Sequence, residues 1–248
     1  MSIDRDAFFT LHADLPREGP GETADVAWAA EVAGLRSEAR ILDAACGPGG
    51  DIGALLRAAP EGHVTAIDLH APFIEATRAR WGADRRVTLQ SGDMTTPEGP
   101  FDFVWCAGAV YFLGIEAALE AWAPRVAPGG AIAFSEPCLF TDTPSEGAID
   151  LWDGYARLTD AAGIAAQVEA AGFETLATRA IGDIAWESYY RPLEARIARL
   201  RPGAAPDLAA VLELATVEIA SWRAHRHETG YLLSVVRPMP APRAVGAP

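Results

Sequence analysis

The chain contains no lysine. All 20 of its counted basic residues are arginine. This excludes a lysine-based phosphate loop, a Schiff-base lysine and a pyridoxal phosphate site. Cysteine is scarce. Cys46, Cys106 and Cys138 form an odd set without a CxxC pair. That pattern argues against a disulfide framework and for a reducing, cytoplasmic setting. No apolar run approaches the roughly 18 residues that a membrane span needs. The opening stretch, MSIDRDAFFTLHADLPREGPG, mixes acids among its apolar residues and does not read as a signal peptide. Positive charge is outweighed: 34 acids against 20 arginines give a net charge of −14. No dense basic run offsets this. A chain so acidic repels phosphate backbones, so nucleic acid is not an expected partner.

What is present is enough for one sizeable domain. The length is 248 residues and half of them are hydrophobic, so a proper core can be buried. Strand and helix patterns alternate through the first two thirds. Strands are expected at 39–45, 63–69, 86–93, 101–108 and 128–137. Helices are expected at 49–59, with Asp51 in the first turn, at 71–82 and at 115–126. Residues 164–182 read as helix, glycine turn and strand, and 229–238 as a last strand. Such alternation predicts a parallel sheet covered by helices. Between the last two strands, WESYYRPLEARIARL and DLAAVLELATVEIASW place apolar residues at i, i+3 and i+4, the period of amphipathic helices. Pro192 is expected to start or kink the first. A helical insertion there reads as a lid. The final PMPAPRAVGAP reads as a frayed tail.

The stretch ILDAACGPGG at 41–50 carries the first chemical signal. Bare glycines after a first strand let backbone approach a ligand closely. The following helix start offers unpaired N–H groups and a positive dipole end. Asp68 follows Gly47 by 21 residues, at the end of the second strand, where an acid can accept from ribose hydroxyls. The pattern marks a nucleoside-cofactor site. The dinucleotide fingerprint GxGxxG from Gly47 would need glycine at position 52, which is isoleucine. A nicotinamide-dependent dehydrogenase is therefore disfavoured.

D-A-A-C-G-P-G-G instead resembles motif I of the class I S-adenosylmethionine-dependent methyltransferases. The segments SGDM, FDFVWCAGAVYFL and APGGAIAFSEP follow in that family's order, over roughly residues 35–137. LPREGPG and WESYYRPLEARI resemble a small-molecule subgroup close to the ubiquinone and menaquinone biosynthesis enzymes. Members of that subgroup often carry Glu where Ala107 stands, so the resemblance supplies no acid or base at this position. The resemblance implies a doubly wound, Rossmann-like α/β fold. Its seven-stranded sheet would be mostly parallel with an antiparallel last strand, helices on both faces and a helical lid before that strand. It implies a single domain: a helical cover at 1–34, a cofactor core at 35–182, a lid at 183–228 and a final strand at 229–238. The cofactor is S-adenosylmethionine, leaving as S-adenosylhomocysteine. Asp43, Cys46, Gly47, Gly49, Asp68, Leu69, Asp93, Met94 and Arg17 are the expected cofactor residues, with Asp68 on the ribose and Asp93 on the adenine amine.

Methyl transfer needs alignment, exclusion of water and sometimes proton removal. Glu136, His12 and Tyr111 are the candidate catalytic groups, and His70 and Tyr190 could also act as a base. Trp186, Tyr189 and Tyr190 are candidate substrate-wall residues, although a core-packed helix face explains them equally. The three cysteines all fall near strand ends and could converge on a soft metal or arsenic centre; small buried thiols explain them more simply, and no metal site is expected. The expected partner is a small molecule, with the protein a monomer or homodimer. A protein methyltransferase and a non-catalytic cofactor-binding module remain the alternatives. The NPPY and PCQ motifs of DNA methyltransferases are not found after the fourth strand.

Overall fold

The computed structural model describes residues 4–152 and 154–240. Two helices lead in: α1, Arg5–His12, and α2, Thr23–Ala33. Asp4 caps α1 by accepting the Ala7 amide at 2.8 Å. Glu22 and Asp25 cap α2 reciprocally, and Gly34 ends it in the left-handed region at φ +66°. Then follow β1 (Arg40–Ala44), α3 (Ile52–Ala58), β2 (His63–Asp68), α4 (Ala71–Trp81), β3 (Val87–Ser91), β4 (Phe101–Cys106), α5 (Ile115–Trp122) and β5 (Val126–Leu139). The last third holds α6 (Glu146–Asp150), β6 (Thr159–Asp160), α7 (Ala161–Ala170), β7 (Phe173–Ala180), α8 (Asp183–Leu200), α9 (Pro206–His225) and β8 (Thr229–Pro238).

The sheet order is β3-β2-β1-β4-β5-β8-β7, with the two-residue β6 added beside β5. β1 to β5 pair in parallel, and β8 runs antiparallel to both β5 and β7. This is the expected seven-stranded sheet with one small extra strand. Alternation along each strand splits the core between the two faces. Ile41, Phe103, Trp105 and Leu233 face one cluster with α1, α2, α3, α8 and α9. Leu42, Val104, Phe134 and Leu232 face the other with α5 and α7.

Several expectations shift. Asp51 is the N-cap of α3 and makes no capping bond; its carboxylate is engaged elsewhere, as described below. The helix expected over 115–126 stops at Trp122 and tightens into a 3-10 turn at Ala123–Arg125, where Pro124 lacks an amide to continue it. β5 consequently begins at Val126 and runs on to Leu139. Pro192 does not start its helix: α8 begins nine residues earlier, at Asp183, and Pro192 lies inside it. α6 and β6 fall in a stretch without a clear period. The expected frayed tail lies, from residue 241 on, outside the described residues.

α8 and α9 fill the insertion between β7 and β8. Arg223 of α9 grips Glu187 at 2.8 Å and Glu194 at 2.6 Å on α8. Inside that bond, Trp222 stacks on Trp186 with centroids 5.0 Å apart. Both rings belong to the same apolar cluster as Ile52 and Leu55 of α3. The insertion is thus part of the core rather than an appended flap. Among the described residues no helix is long and apolar enough to cross a membrane.

Candidate functional site

The strand order reverses between β1 and β4, and the crevice beyond their carboxyl ends is where open α/β sheets bind ligands. The 41–50 stretch turns there. Ala45, Gly47 and Gly49 all adopt positive φ, at +58°, +53° and +78°, a region costly for residues with a Cβ. The turn is pinned by three amides. Cys46 donates to the Ile67 carbonyl at 2.9 Å and Gly49 to the Cys46 carbonyl at 3.0 Å. Gly47 donates to Asp68 Oδ2 at 2.8 Å. A Cβ on Gly49 would stand 2.7 Å from Thr77 Cγ2 of α4. That glycine serves the packing of loop on helix, and it does not line the cavity beside it.

The cavity has a volume of about 750 Å³. The glycine loop forms one wall, and α1 with the 16–20 segment closes over it. Asp43, at the end of β1, reaches this wall almost fully buried, and among the described residues its Oδ2 has no hydrogen-bond partner. Burial, with Asp51 and Asp68 nearby, drives its pKa well above the usual carboxylate range. Asp68 accepts from Gly47 with one oxygen and from the His70 amide, at 2.8 Å, with the other. Each oxygen keeps a further lone pair for a ligand. Asp93 and Met94 lie on the wall with Leu69. Asp93 is held by the Thr95 amide and hydroxyl at 2.8 and 2.7 Å, which lowers its pKa. Leu69 is 76% exposed, an apolar surface left open beside the acid.

Arg17 was expected to meet the cofactor carboxylate. Its Nη2 donates to Asp51 at 2.6 Å, and its Nε has no partner among the described residues. Asp51 also accepts from Trp105 Nε1 at 3.0 Å. Asp51 is a site residue that sequence reasoning missed. Its place in GGDIG, just after the glycines, was the available signal. Glu18 was missed likewise, though it adjoins Arg17. It shares a proton with His12 Nδ1 at 2.5 Å, and its Oε1 is buried without a partner among the described residues. Burial raises its pKa, against the opposing effect of His12.

The other wall is aromatic. Trp186, Tyr189 and Tyr190 of α8 line it while also packing in the core. Tyr190 donates to Glu218 Oε1 of α9 at 3.0 Å. Glu218 is exposed on α9 and also lines the cavity, and desolvation there raises its pKa. Tyr111 lines the cavity from the 3-10 turn after β4, its pKa pushed up to about 12 mainly by burial. Sequence reasoning missed Trp152, Tyr155, Glu218 and Tyr231, which stand on unread loop, on α9 and on β8.

Glu136 departs from expectation. Because β5 continues to Leu139, Glu136 is inside the strand, paired with Leu232, rather than at its rim. It is 2% exposed and does not line the cavity. Tyr155 stands on the wall and donates to it. Burial pushes the Glu136 pKa up to about 7 against that bond and the Arg157 charge. His70 lies in a stack with Phe9 of α1, centroids 3.6 Å apart, which ties the cover to the end of β2. Burial lowers its pKa. The cysteines do not converge: Cys106 and Cys138 sit in one core cluster, while Cys46 packs against the other, across the sheet. Among the described residues no group of three metal-ligating side chains forms.

Sheet order and helix layers give a Rossmann-like fold, the one found in solved S-adenosylmethionine-dependent methyltransferases. Residues 41–130 match the family model described as a methyltransferase domain. The chain is 33% identical over 134 residues to the malonyl-[acyl-carrier protein] O-methyltransferase of Pseudescherichia vulneris, covering 51% of this chain and 48% of that protein. It is 31% identical over 117 residues to the trans-aconitate 2-methyltransferase of Streptomyces avermitilis, covering 44% and 43%. The chain thus aligns with about half the length of these curated relatives, or less. The structure of an S-adenosylmethionine-dependent methyltransferase from Geobacter sulfurreducens, in complex with S-adenosylhomocysteine, superposes with a TM-score of 0.80 at 20% identity, covering 96% of this chain and all of that one. A second such complex, from Thiobacillus denitrificans, gives 0.77 at 20% identity over 96% and 100%.

Proposed function

We propose that the protein is an S-adenosylmethionine-dependent methyltransferase acting on a small molecule. The observation that carries this reading is the unpartnered Asp43 Oδ2 at the cavity wall, beside a glycine loop anchored on Asp68. A buried acceptor without a donor is costly unless a ligand supplies one. The methionine part of the cofactor would lie along Cys46 and Gly47, with its amino group toward Asp43. Arg17, through its free Nε, would face the carboxylate. Asp68 would take the ribose hydroxyls, and Leu69, Asp93 and Met94 would flank the adenine.

When bound, S-adenosylmethionine supplies a methyl group activated on a sulfonium. The chain's own part is to align and to shield. Well-oriented partners can gain about 7–11 kcal/mol of the barrier. α1, α8 and α9 cover the cavity and exclude water, which is the role we assign to the 1–34 cover and the 183–228 lid around the 35–182 core. His12, hydrogen-bonded to Glu18, and Tyr111 are the wall groups placed to hold a proton. Glu136 acts through Tyr155 as a positioning residue. The unpaired cysteines and the absence of a basic run support a cytoplasmic enzyme of metabolism.

Calorimetric titration with S-adenosylhomocysteine, and with NAD as control, tests the cofactor. Binding of the first alone supports the reading. Binding of NAD alone, or of neither, overturns it. Transfer of labelled methyl to a metabolite panel then tests turnover, and a protein that binds without transferring would be a cofactor-binding module.

A further inference from the structure

The aromatic wall has a charge character of its own. Trp152, Trp186 and Tyr231 pack as a group, with Trp152–Tyr231 and Trp186–Tyr231 centroids at 5.3 and 5.2 Å. Tyr189 and Tyr231 are each 8% exposed. Both line the cavity, and neither hydroxyl meets a hydrogen-bond partner among the described residues. Glu218 brings a carboxylate to this wall, and Glu18 has a buried, unpartnered Oε1 on the cover. The cations that line the cavity each have a nearer partner. Arg17 is bound to Asp51 and, on the reading above, faces the cofactor. His12 is paired with Glu18. Arg5 lies over Phe9, whose ring stacks on His70 at the end of β2.

An acceptor carrying a carboxylate or phosphate would meet two acids at this wall; of the two lining arginines Arg17 is bound to Asp51 and Arg5 lies over Phe9. A cationic nitrogen meets the reverse: ring π-systems that attract it, phenol oxygens that accept its N–H groups and carboxylates that balance its charge. We infer that the aromatic wall recognises an acceptor bearing a cationic nitrogen, a protonated amine or an ammonium group. This rests on the methyl-transfer reading above and names the substrate class for its acceptor subsite.

The test is a calorimetric titration of the full chain, saturated with S-adenosylhomocysteine, with three molecules of one shape. Choline is the cation, 3,3-dimethylbutan-1-ol its uncharged isostere and 3,3-dimethylbutanoate the anion. Choline is expected to bind at least tenfold tighter than either. Glu218→Gln should cut that preference at least threefold while leaving S-adenosylhomocysteine affinity unchanged. Equal binding of the three, preference for the anion, or no binding of choline overturns the inference while the cofactor reading stands. Failure of S-adenosylhomocysteine to bind, with choline preference intact, overturns the cofactor reading alone.

Discussion

Asp68 Oδ2 accepts the Gly47 amide at 2.8 Å, across 21 residues of sequence. The acid at the end of β2 therefore shapes the glycine loop as well as facing the cavity. Ligand contact and loop geometry are coupled at one carboxylate.

Asp68→Ala should lose both roles. S-adenosylhomocysteine affinity is expected to fall at least tenfold, about 1.4 kcal/mol, with circular dichroism unchanged. Calorimetry on the variant is the measurement. A folded variant with full affinity would remove Asp68 from the cofactor site.

Gly49→Ala should be worse than its size suggests. The new Cβ meets Thr77 Cγ2 at 2.7 Å, at a φ of +78°. The left-handed conformation alone costs about 1–2 kcal/mol, and the clash adds to it. Denaturant unfolding should show a loss above 1 kcal/mol, and Thr77→Ser in the same chain should recover part of it by removing the methyl group.

Glu136 gives a pH dependence. Its pKa is raised from 4.5 to about 7 in the fold, so the neutral form is favoured there. Stability from this group is fully present below pH 4.5 and is lost as the pH rises through 7. The shift corresponds to about 3 kcal/mol at about 1.4 per pKa step. Glu136→Gln, which stays neutral and can still accept from Tyr155, should flatten this loss. Unfolding midpoints at pH 5 and pH 8 decide it, and equal slopes in both proteins would refute the burial argument.

Trp222→Ala should destabilise the whole protein by about 3–5 kcal/mol, the range for a large buried aromatic. Its ring is 1% exposed and joins α9 to Trp186 of α8. The consequence reaches further. Deleting 183–228 would open the core cluster shared with α3, so α8 and α9 are better probed by point substitutions than by truncation. A Trp222→Ala protein with an unchanged unfolding midpoint would show that α9 is dispensable.

Much of this molecule is legible in its sequence, for local reasons. Short apolar runs separated by helical periods give the parallel strands. Glycines in ILDAACGPGG mark a turn that side chains would strain. The two amphipathic periods after β7 give α8, Asp183–Leu200, and α9, Pro206–His225. Reasoning fails where a residue's role depends on a distant partner. Asp51 was read as a helix-start acid, yet it holds Arg17 and Trp105, 34 and 54 residues away. Tyr155 sits in a stretch without periodicity, and only its contact with Glu136 reveals it.

The sequence by itself determined the order of elements, the place of the glycine loop and the acids that follow strands, because each is set by neighbours within a few residues. The tertiary structure alone decided which groups share the cavity. It put Glu136 behind Tyr155 and set the cysteines on opposite faces of the sheet. It also drew Glu18, Glu218 and Tyr231 from both ends of the chain into one cavity wall. Those outcomes follow from strand length, alternation of faces and the burial of unpaired charge, which are properties of the packed molecule and not of any segment.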